Sequence, residues 1–289
     1  MKILIIGGNG MLGHQFTKSL SDNHDVMVTL RDGLDAYKSF NLFSKENSYS
    51  NVDIRSLDSV KAVFEDFAPQ TVINCSGVTK QLTSNDTTAD TIKVNSLFPH
   101  QLASVCTEYN SRLVQLSTDC IYSGAKGLYK EEDVSDALDL YGRSKFLGEV
   151  NLDNVITLRK STIGLELGSN HGLIEWFLKQ RSTVNGYTKA IYSGFTSVVL
   201  AEIVEKIIVE QKSLSGIWNL ASSPISKFDL LNNLVDRLDK FEIEIVPDDK
   251  ININRSLDPG KFKEVTGFIS PSWDNMLDQL AEEINKRNK

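Results

Sequence analysis

Two stretches of the 289-residue chain place a tyrosine four residues before a lysine: Tyr122 to Lys126 in YSGAK, and Tyr141 to Lys145 in YGRSKFLGE. On a helix this spacing sets a phenol and an ammonium on one face, one turn apart. The first copy is interrupted by Gly124 and followed by Gly127, which suits a loop. The second runs into KFLGEVNL, which propagates a helix, so Tyr141 and Lys145 form the candidate pair. A phenol titrates near 10 and is a poor acid–base group at neutral pH. A neighbouring ammonium favours the phenolate and is expected to bring the group toward the working pH, as general acid–base catalysis requires. Tyr122 is then a substrate-pocket aromatic or a packed ring. Thr118 follows the apolar run RLVQL and Ser117, 23 residues before Tyr141. Its hydroxyl is either an ordinary strand-end group or a donor to a reacting oxygen.

The opening MKILIIGGNGMLGHQF indicates what such a pair works with. Gly8, Gly10 and Gly13 satisfy GxGxxG, and Gly7, Gly10 and Gly13 satisfy GxxGxxG. A turn without Cβ atoms, set between a strand and a helix, lets backbone N–H groups approach a pyrophosphate at the positive end of that helix. Gly7, Gly10, Met11, Leu12 and Gly13 are therefore the expected dinucleotide cradle; the alternative is a turn serving close packing only. A nicotinamide cation, in the oxidised state, adds to the pull on the phenol. The second strand ends in VMVTL, and Arg31 then Asp32 follow. An acidic residue here bonds the ribose 2′-hydroxyl of NAD, and an arginine favours the 2′-phosphate of NADP. Arg31 comes first, so NADPH is expected, with NADH the alternative that Asp32 keeps open and a solvated loop charge the plain reading of Arg31.

These groups need a scaffold, and the hydrophobic pattern supplies one. Short apolar runs at Lys2–Ile6, Asp25–Leu30, Thr71–Cys75, Arg112–Ser117 and Val155–Arg159 read as strands buried on both faces. Helical periods at Met11–Leu20, Leu57–Phe67 and Phe98–Tyr109 separate them. The alternation predicts an α/β fold, a Rossmann-like doubly wound parallel sheet with a smaller mixed C-terminal substrate lobe. The dinucleotide-binding domain covers residues 1–160 and is completed by about 191–221, through a helix at Val198–Glu210 and a strand at Gly216–Leu220. Residues 161–190 and 222–289, including a helix at Lys227–Leu238, form the lobe. Such a length buries a core without staples. The three cysteines, Cys75, Cys106 and Cys120, have no CxxC spacing and read as buried free thiols in a reducing compartment. The apolar run after Lys2 is too short for a signal core or a membrane span, so cytoplasm is the expected location. A net charge of −7 argues against a general nucleic-acid or membrane-surface binder. No cluster has metal-ligand spacing, and His14, just inside the first helix, reads as a neutral packed side chain.

The glycine turn, STDCIYSG at Ser117–Gly124 and YGRSKFLGE together resemble the extended short-chain dehydrogenase/reductase family, and within it the sugar-nucleotide reductases. The resemblance covers residues 1 to about 160 well and the C-terminal third loosely. It implies that Lys145 also bonds the nicotinamide ribose and that Thr118 is a catalytic donor. It further implies that Asp53 and Ile54 lie at the adenine, and that Cys75, Ser76 and Gly77 form a cofactor-contacting turn. Thr118, Asp119, Tyr122 and Lys80 are the expected substrate contacts. Lys160, Trp176, Lys189 and Arg255 are further contributors of charge or stacking, and Gly186–Phe195 is the expected substrate-facing loop. Dehydratases of the family follow the threonine with an Asp-Glu pair; here Asp119 and Cys120 stand there. The expected activity is NADPH-dependent reduction of the 4-keto group of a nucleotide-linked deoxysugar, with hydride from nicotinamide and a proton from Tyr141, in deoxysugar or polysaccharide biosynthesis. An NAD-bound epimerase or dehydratase is one alternative, and a non-catalytic cofactor-binding regulatory subunit is another. The expected partner is the nucleotide sugar, and a homodimer is compatible with the sequence.

Overall fold

In the computed structural model, residues 1–84, 86–239 and 242–287 are described. The first part of the chain runs β1 (Lys2–Ile6), α1 (Met11–Leu20), β2 (Asp25–Thr29), β3 (Ser48–Tyr49), α2 (Leu57–Phe67), β4 (Thr71–Asn74), α3 (Thr88–Ile92), α4 (Phe98–Glu108), β5 (Arg112–Leu116), α5 (Leu140–Leu147) and β6 (Val155–Arg159). The remainder runs β7 (Thr162–Ile163), α6 (Leu173–Leu178), β8 (Val184–Tyr192), β9 (Phe195–Thr196), α7 (Ser197–Glu210), β10 (Gly216–Asn219), β11 (Ile225–Ser226), α8 (Lys227–Val235), β12 (Ile245–Asn254), α9 (Gly260–Thr266) and α10 (Trp273–Arg287).

Seven parallel strands form the main sheet in the order β10-β6-β5-β4-β1-β2-β3. The chain winds outward from β1 in both directions, so the carboxyl ends of β1 and β4 frame the crevice where such sheets bind ligands. Ile3, Ile5, Phe16, Leu20, Val199 and Ile203 share the core on one face, and Leu4, Ile6, Val60, Phe64, Phe98 and Leu102 share the core on the other. Burial on both faces is why these strands read as continuous apolar runs. Such a run would be exposed in a lone strand, so the sheet needs helices over both faces. β10 returns to this sheet beside β6. The remaining strands form a three-stranded sheet, β11-β8-β12, and the pair β7-β9. Their core gathers Ile174, Phe177, Leu230, Leu234, Leu277 and Leu280.

The stretch Gly186–Phe195, expected as a loop, is mostly the strand β8. Val184, Ala190 and Tyr192 turn inward while Asn185 and Lys189 face solvent, so packing against α8 and pairing on both sides override its glycine-rich composition. The helix expected over Lys227–Leu238 stops at Val235. α3 and α4 are joined by a wide π-type turn over Lys93–Leu97, a local irregularity that often accompanies functional sites. No described helix is long and apolar enough to cross a membrane.

Candidate active site

The glycine turn follows β1 directly. Gly7 has φ +83°, and a Cβ on Gly13 would lie 2.0 Å from the Gly7 carbonyl oxygen, so strand and helix touch through backbone. Gly10 differs. A Cβ there would have no protein atom nearer than 3.5 Å, so packing does not account for this glycine. Gly10 starts α1 with no side-chain cap and no acidic residue in the first turn. The helix therefore presents free N–H groups and its positive end to the crevice, lined here by Gly10, Met11 and Leu12. A cradle that a side chain would fill, at an uncapped helix end, fits a pyrophosphate. His14 packs beneath it, donating from Nδ1 to the Gly10 carbonyl at 3.0 Å. Burial drives its pKa down to about 4, so it is neutral.

Beyond the end of β2, Asp32 is engaged by Tyr37, whose hydroxyl donates to Oδ2 at 3.0 Å and accepts from the Asp32 N–H. Arg31 is exposed and makes no hydrogen bond or ion pair with the described residues. Asp53 accepts from the Arg55 N–H, Nε and Nη2 at 2.9 to 3.0 Å, and those bonds hold its carboxyl below the usual range. Ile54 packs beside it on the Phe64 core. These groups lie outside the main cavity.

That cavity, about 620 Å³, is bounded by the cradle, the loop after β4, the ends of β5 and β6, α5 and the smaller lobe. Thr118, Tyr141 and Lys145 all line it. Thr118 Oγ1 accepts from the Cys120 N–H at 3.1 Å and donates to Asp119 at 3.2 Å. Asp139 caps α5 by accepting from the Gly142 N–H at 2.8 Å, which fixes the first turn carrying Tyr141. Lys145 is buried and donates to the Leu116 carbonyl at 2.7 Å. Burial and the neighbouring Lys160 ammonium bring its pKa down to about 8. The Tyr141 phenol moves the other way from the sequence expectation. Burial pushes it above its ordinary value, Cys120 adds to the rise, Thr118 pulls it down, and Asp119 and Asp139 raise it further. At rest the Lys145 ammonium donates to the Leu116 carbonyl, and burial outweighs the groups that would lower the phenol.

Cys75, Ser76 and Gly77 also line the cavity, as do Asp119, Lys80, Lys160 and Arg255. Lys80 sits at the mouth, paired with Asp139 at 2.8 Å. Asp119 is buried, and desolvation lifts its carboxyl while Arg255 opposes the rise. Tyr122, expected as a substrate contact or a packed ring, does not line the cavity. Its ring is fully buried and stacked on Tyr129 at 4.1 Å, and its hydroxyl accepts from Arg159 at 2.8 Å and donates to the Lys130 carbonyl. Trp176 faces outward, and Lys189 pairs with Asp249 on the surface; neither reaches the cavity. The cysteines are free, but only Cys106 is a core thiol; Cys75 and Cys120 line the cleft. No group of His, Cys, Asp and Glu among the described residues is arranged to hold a metal.

Three positioning devices escape sequence reasoning. Asn95, on the π-type turn, accepts from the Val78 N–H at 2.8 Å and donates to the Val78 carbonyl and to Ser144, tying α5 to the loop after β4. Glu149 accepts from Ser117 and from Arg159, both buried, and so locks the ends of β5 and β6 beside the site. Lys227 reaches the cleft from the first residue of α8, lowered in pKa by burial and facing Cys120 and Asp119. Only the GE after KFL in the α5 motif gave any sign of these.

The family profile described as RmlD substrate binding domain matches residues 1–285. The chain belongs to that family. The match extends well past residue 160, so the C-terminal third resembles its relatives more than its motifs disclose. The dTDP-4-dehydrorhamnose reductase of Aggregatibacter actinomycetemcomitans is 29% identical over 246 residues, 81% of this chain and 78% of that one. The dTDP-4-keto-6-deoxy-D-glucose reductase of Streptomyces niveus is 29% identical over 147 residues, 50% of this chain and 45% of that one. In structure, the Bacillus anthracis dTDP-4-dehydrorhamnose reductase, solved in complex with NADP, superposes with a TM-score of 0.79 at 20% identity, covering 98% of this chain and all of that one.

Proposed function

We propose that this member of the RmlD family is an NADPH-dependent reductase of the 4-keto group of a nucleotide-linked 6-deoxysugar. The observation that carries the reading is the convergence of Thr118, Tyr141 and Lys145 on one cavity that also contains the uncapped glycine cradle. The names of the relatives support it, and so does the NADP in the solved neighbour.

The cradle N–H groups and the start of α1 would hold the pyrophosphate, Arg31 the 2′-phosphate, and Lys145 the nicotinamide ribose. NADPH supplies a hydride to the carbonyl carbon when bound. Tyr141 gives its proton to the carbonyl oxygen as that oxygen becomes an alkoxide, and Thr118 donates a hydrogen bond to the same atom. Lys145 places a cation close to the developing charge. Lys227, Arg255 and Lys80 contribute positive charge for the diphosphate of the sugar nucleotide. The dehydratase alternative needs a carboxylate base beside Asp119, and Cys120 occupies that position. Burial lifts the Cys120 thiol to about 12, so it carries no charge for such work at neutral pH.

The test is purified protein with NADPH and a 4-keto-6-deoxy sugar nucleotide, followed at 340 nm. The reading expects one NADPH oxidised per sugar reduced. Product formed without net cofactor oxidation identifies an epimerase, turnover only of the 4,6-dihydroxy parent sugar nucleotide identifies a dehydratase, and cofactor binding with turnover of neither identifies a regulatory subunit.

A further inference from the structure

Two described side chains lining the cleft bury a polar atom that has no hydrogen-bond partner: Tyr192, through its phenol oxygen, and Thr162, through Oγ1. An unpaired buried hydroxyl costs stability and is uncommon in folded proteins. Here the placement is also enforced. The Tyr192 residue is only 7% exposed, at the end of β8, and its ring meets Trp273 at a centroid distance of 5.5 Å. Trp273 is itself held by Nε1–H donating to the Ser223 carbonyl at 2.7 Å. On the other side lies Gly194, where an added Cβ would come within 2.8 Å of the tyrosine ring. Thr162 sits on β7, paired with Phe195 of β9, one residue beyond the Gly194 contact. The charge that acts on the Tyr192 phenol is Asp119, the neighbour of Thr118. Both unpaired hydroxyls thus come from β7 and β8 and line the same cavity as the α5 pair.

We infer that Tyr192 and Thr162, with Asp119, form a subsite that reads one ring hydroxyl, at C2 or C3, of the sugar whose carbonyl is reduced. This rests on the reductase reading above. A sugar hydroxyl both donates and accepts, and so matches two neutral hydroxyls beside a carboxyl group. A phosphate only accepts, and it is better served by Lys227 and Arg255. The two residues are specificity contacts: they hold the ring and discriminate by what it carries, because a site built to bond a hydroxyl is left unpaired by an analogue lacking it.

The experiment compares kcat/KM of wild type, Tyr192→Phe and Thr162→Val on a 4-keto-6-deoxy sugar nucleotide and on its 2-deoxy and 3-deoxy analogues, with NADPH affinity and melting temperature measured alongside. Wild type is expected to prefer the full sugar over one of the two analogues by about 10- to 100-fold. Tyr192→Phe keeps the ring packing, binds NADPH as wild type, loses a similar factor on the full sugar and loses nothing on that analogue, so the preference collapses. Thr162→Val moves the same way and serves if the phenylalanine variant folds poorly. The inference is overturned if wild type shows no preference among the three sugars, or if the variants retain the preference or lose equally on all of them. A wild type that oxidises NADPH with none of these sugars overturns the reductase reading itself, a result distinct from active enzyme with indifferent variants.

Discussion

Gly10 and Gly13 belong to one motif, yet the structure assigns them different tasks, and two alanine substitutions separate them. A methyl on Gly13 would lie 2.0 Å from the Gly7 carbonyl oxygen and 2.8 Å from Gly8 Cα, both backbone atoms that cannot step aside. Overpacking of this kind costs about 1–3 kcal/mol, and a clash with main chain belongs at the upper end. At roughly 2–4 °C per kcal/mol for a chain approaching this size, Gly13→Ala should melt about 6–12 °C below wild type. Gly10 has φ −73° and ψ 166°, which alanine adopts freely, and its nearest neighbour is 3.5 Å away. Gly10→Ala should therefore stay within about 1 kcal/mol of wild-type stability, the usual cost of alanine at a helix N-cap. Its methyl would instead stand where backbone N–H groups approach the pyrophosphate, so NADPH affinity should fall about 10- to 100-fold, or roughly 1.4–2.8 kcal/mol. Thermal unfolding with and without NADP, together with fluorescence titration of NADPH, measures both quantities. A Gly10→Ala variant that binds NADPH within twofold of wild type would refute the cradle.

Tyr141→Phe should retain its fold and its NADPH affinity while losing about 10²- to 10⁴-fold in kcat; near-wild-type turnover removes Tyr141 from the role of proton donor. Arg31→Ala should weaken NADPH about tenfold or more and NADH much less, as loss of a charge-assisted phosphate contact requires. Equal losses would mean that Arg31 does not read the 2′-phosphate. The Lys145 ammonium, lowered to about 8, gives up its proton as pH rises through that value. kcat/KM should therefore fall on the alkaline side near pH 8. Lys160→Met removes the like charge that helps depress it, and should carry that limb to higher pH; an unmoved limb would show that another group titrates there.

The strands and helices of the large sheet were legible because burial on both faces and the 3.6-residue period leave strong local patterns: β1, α1, α2 and β6 lie within the residues expected of them. The convergence of Tyr141 and Lys145 on one cleft was legible because their four-residue spacing is local, whereas Thr118, 23 residues upstream, was offered by the family resemblance. The substrate side was not legible. Tyr122 and Tyr141 share the same spacing to a lysine, and only tertiary packing buries the first against Tyr129 and Arg159. Lys189 and Tyr192 lie three residues apart on one strand. Strand alternation sends the lysine out to Asp249 and the tyrosine into the cleft. Asn95 gives no signal in sequence, because its purpose depends on a π-type turn that brings it to Val78 and Ser144.

The direction in which Tyr141 is shifted bears on which reaction the site suits. Oxidation of an alcohol needs a phenolate to take its proton, whereas reduction of a ketone needs a phenol that still has one to give. Burial with Cys120 and Asp119 close by keeps the proton on Tyr141 across the physiological range. An alkoxide is a far stronger base than a phenolate, so a phenol shifted upward still delivers its proton once the hydride has moved. What the transition state then needs is stabilisation of the phenolate left behind. Lys145 is a buried cation one helical turn away whose one hydrogen bond among the described residues is to the Leu116 carbonyl. An ammonium has three donors, so that bond leaves two to swing toward the phenolate as it forms. The phenol is thus protonated at rest, the form from which reduction of a ketone starts.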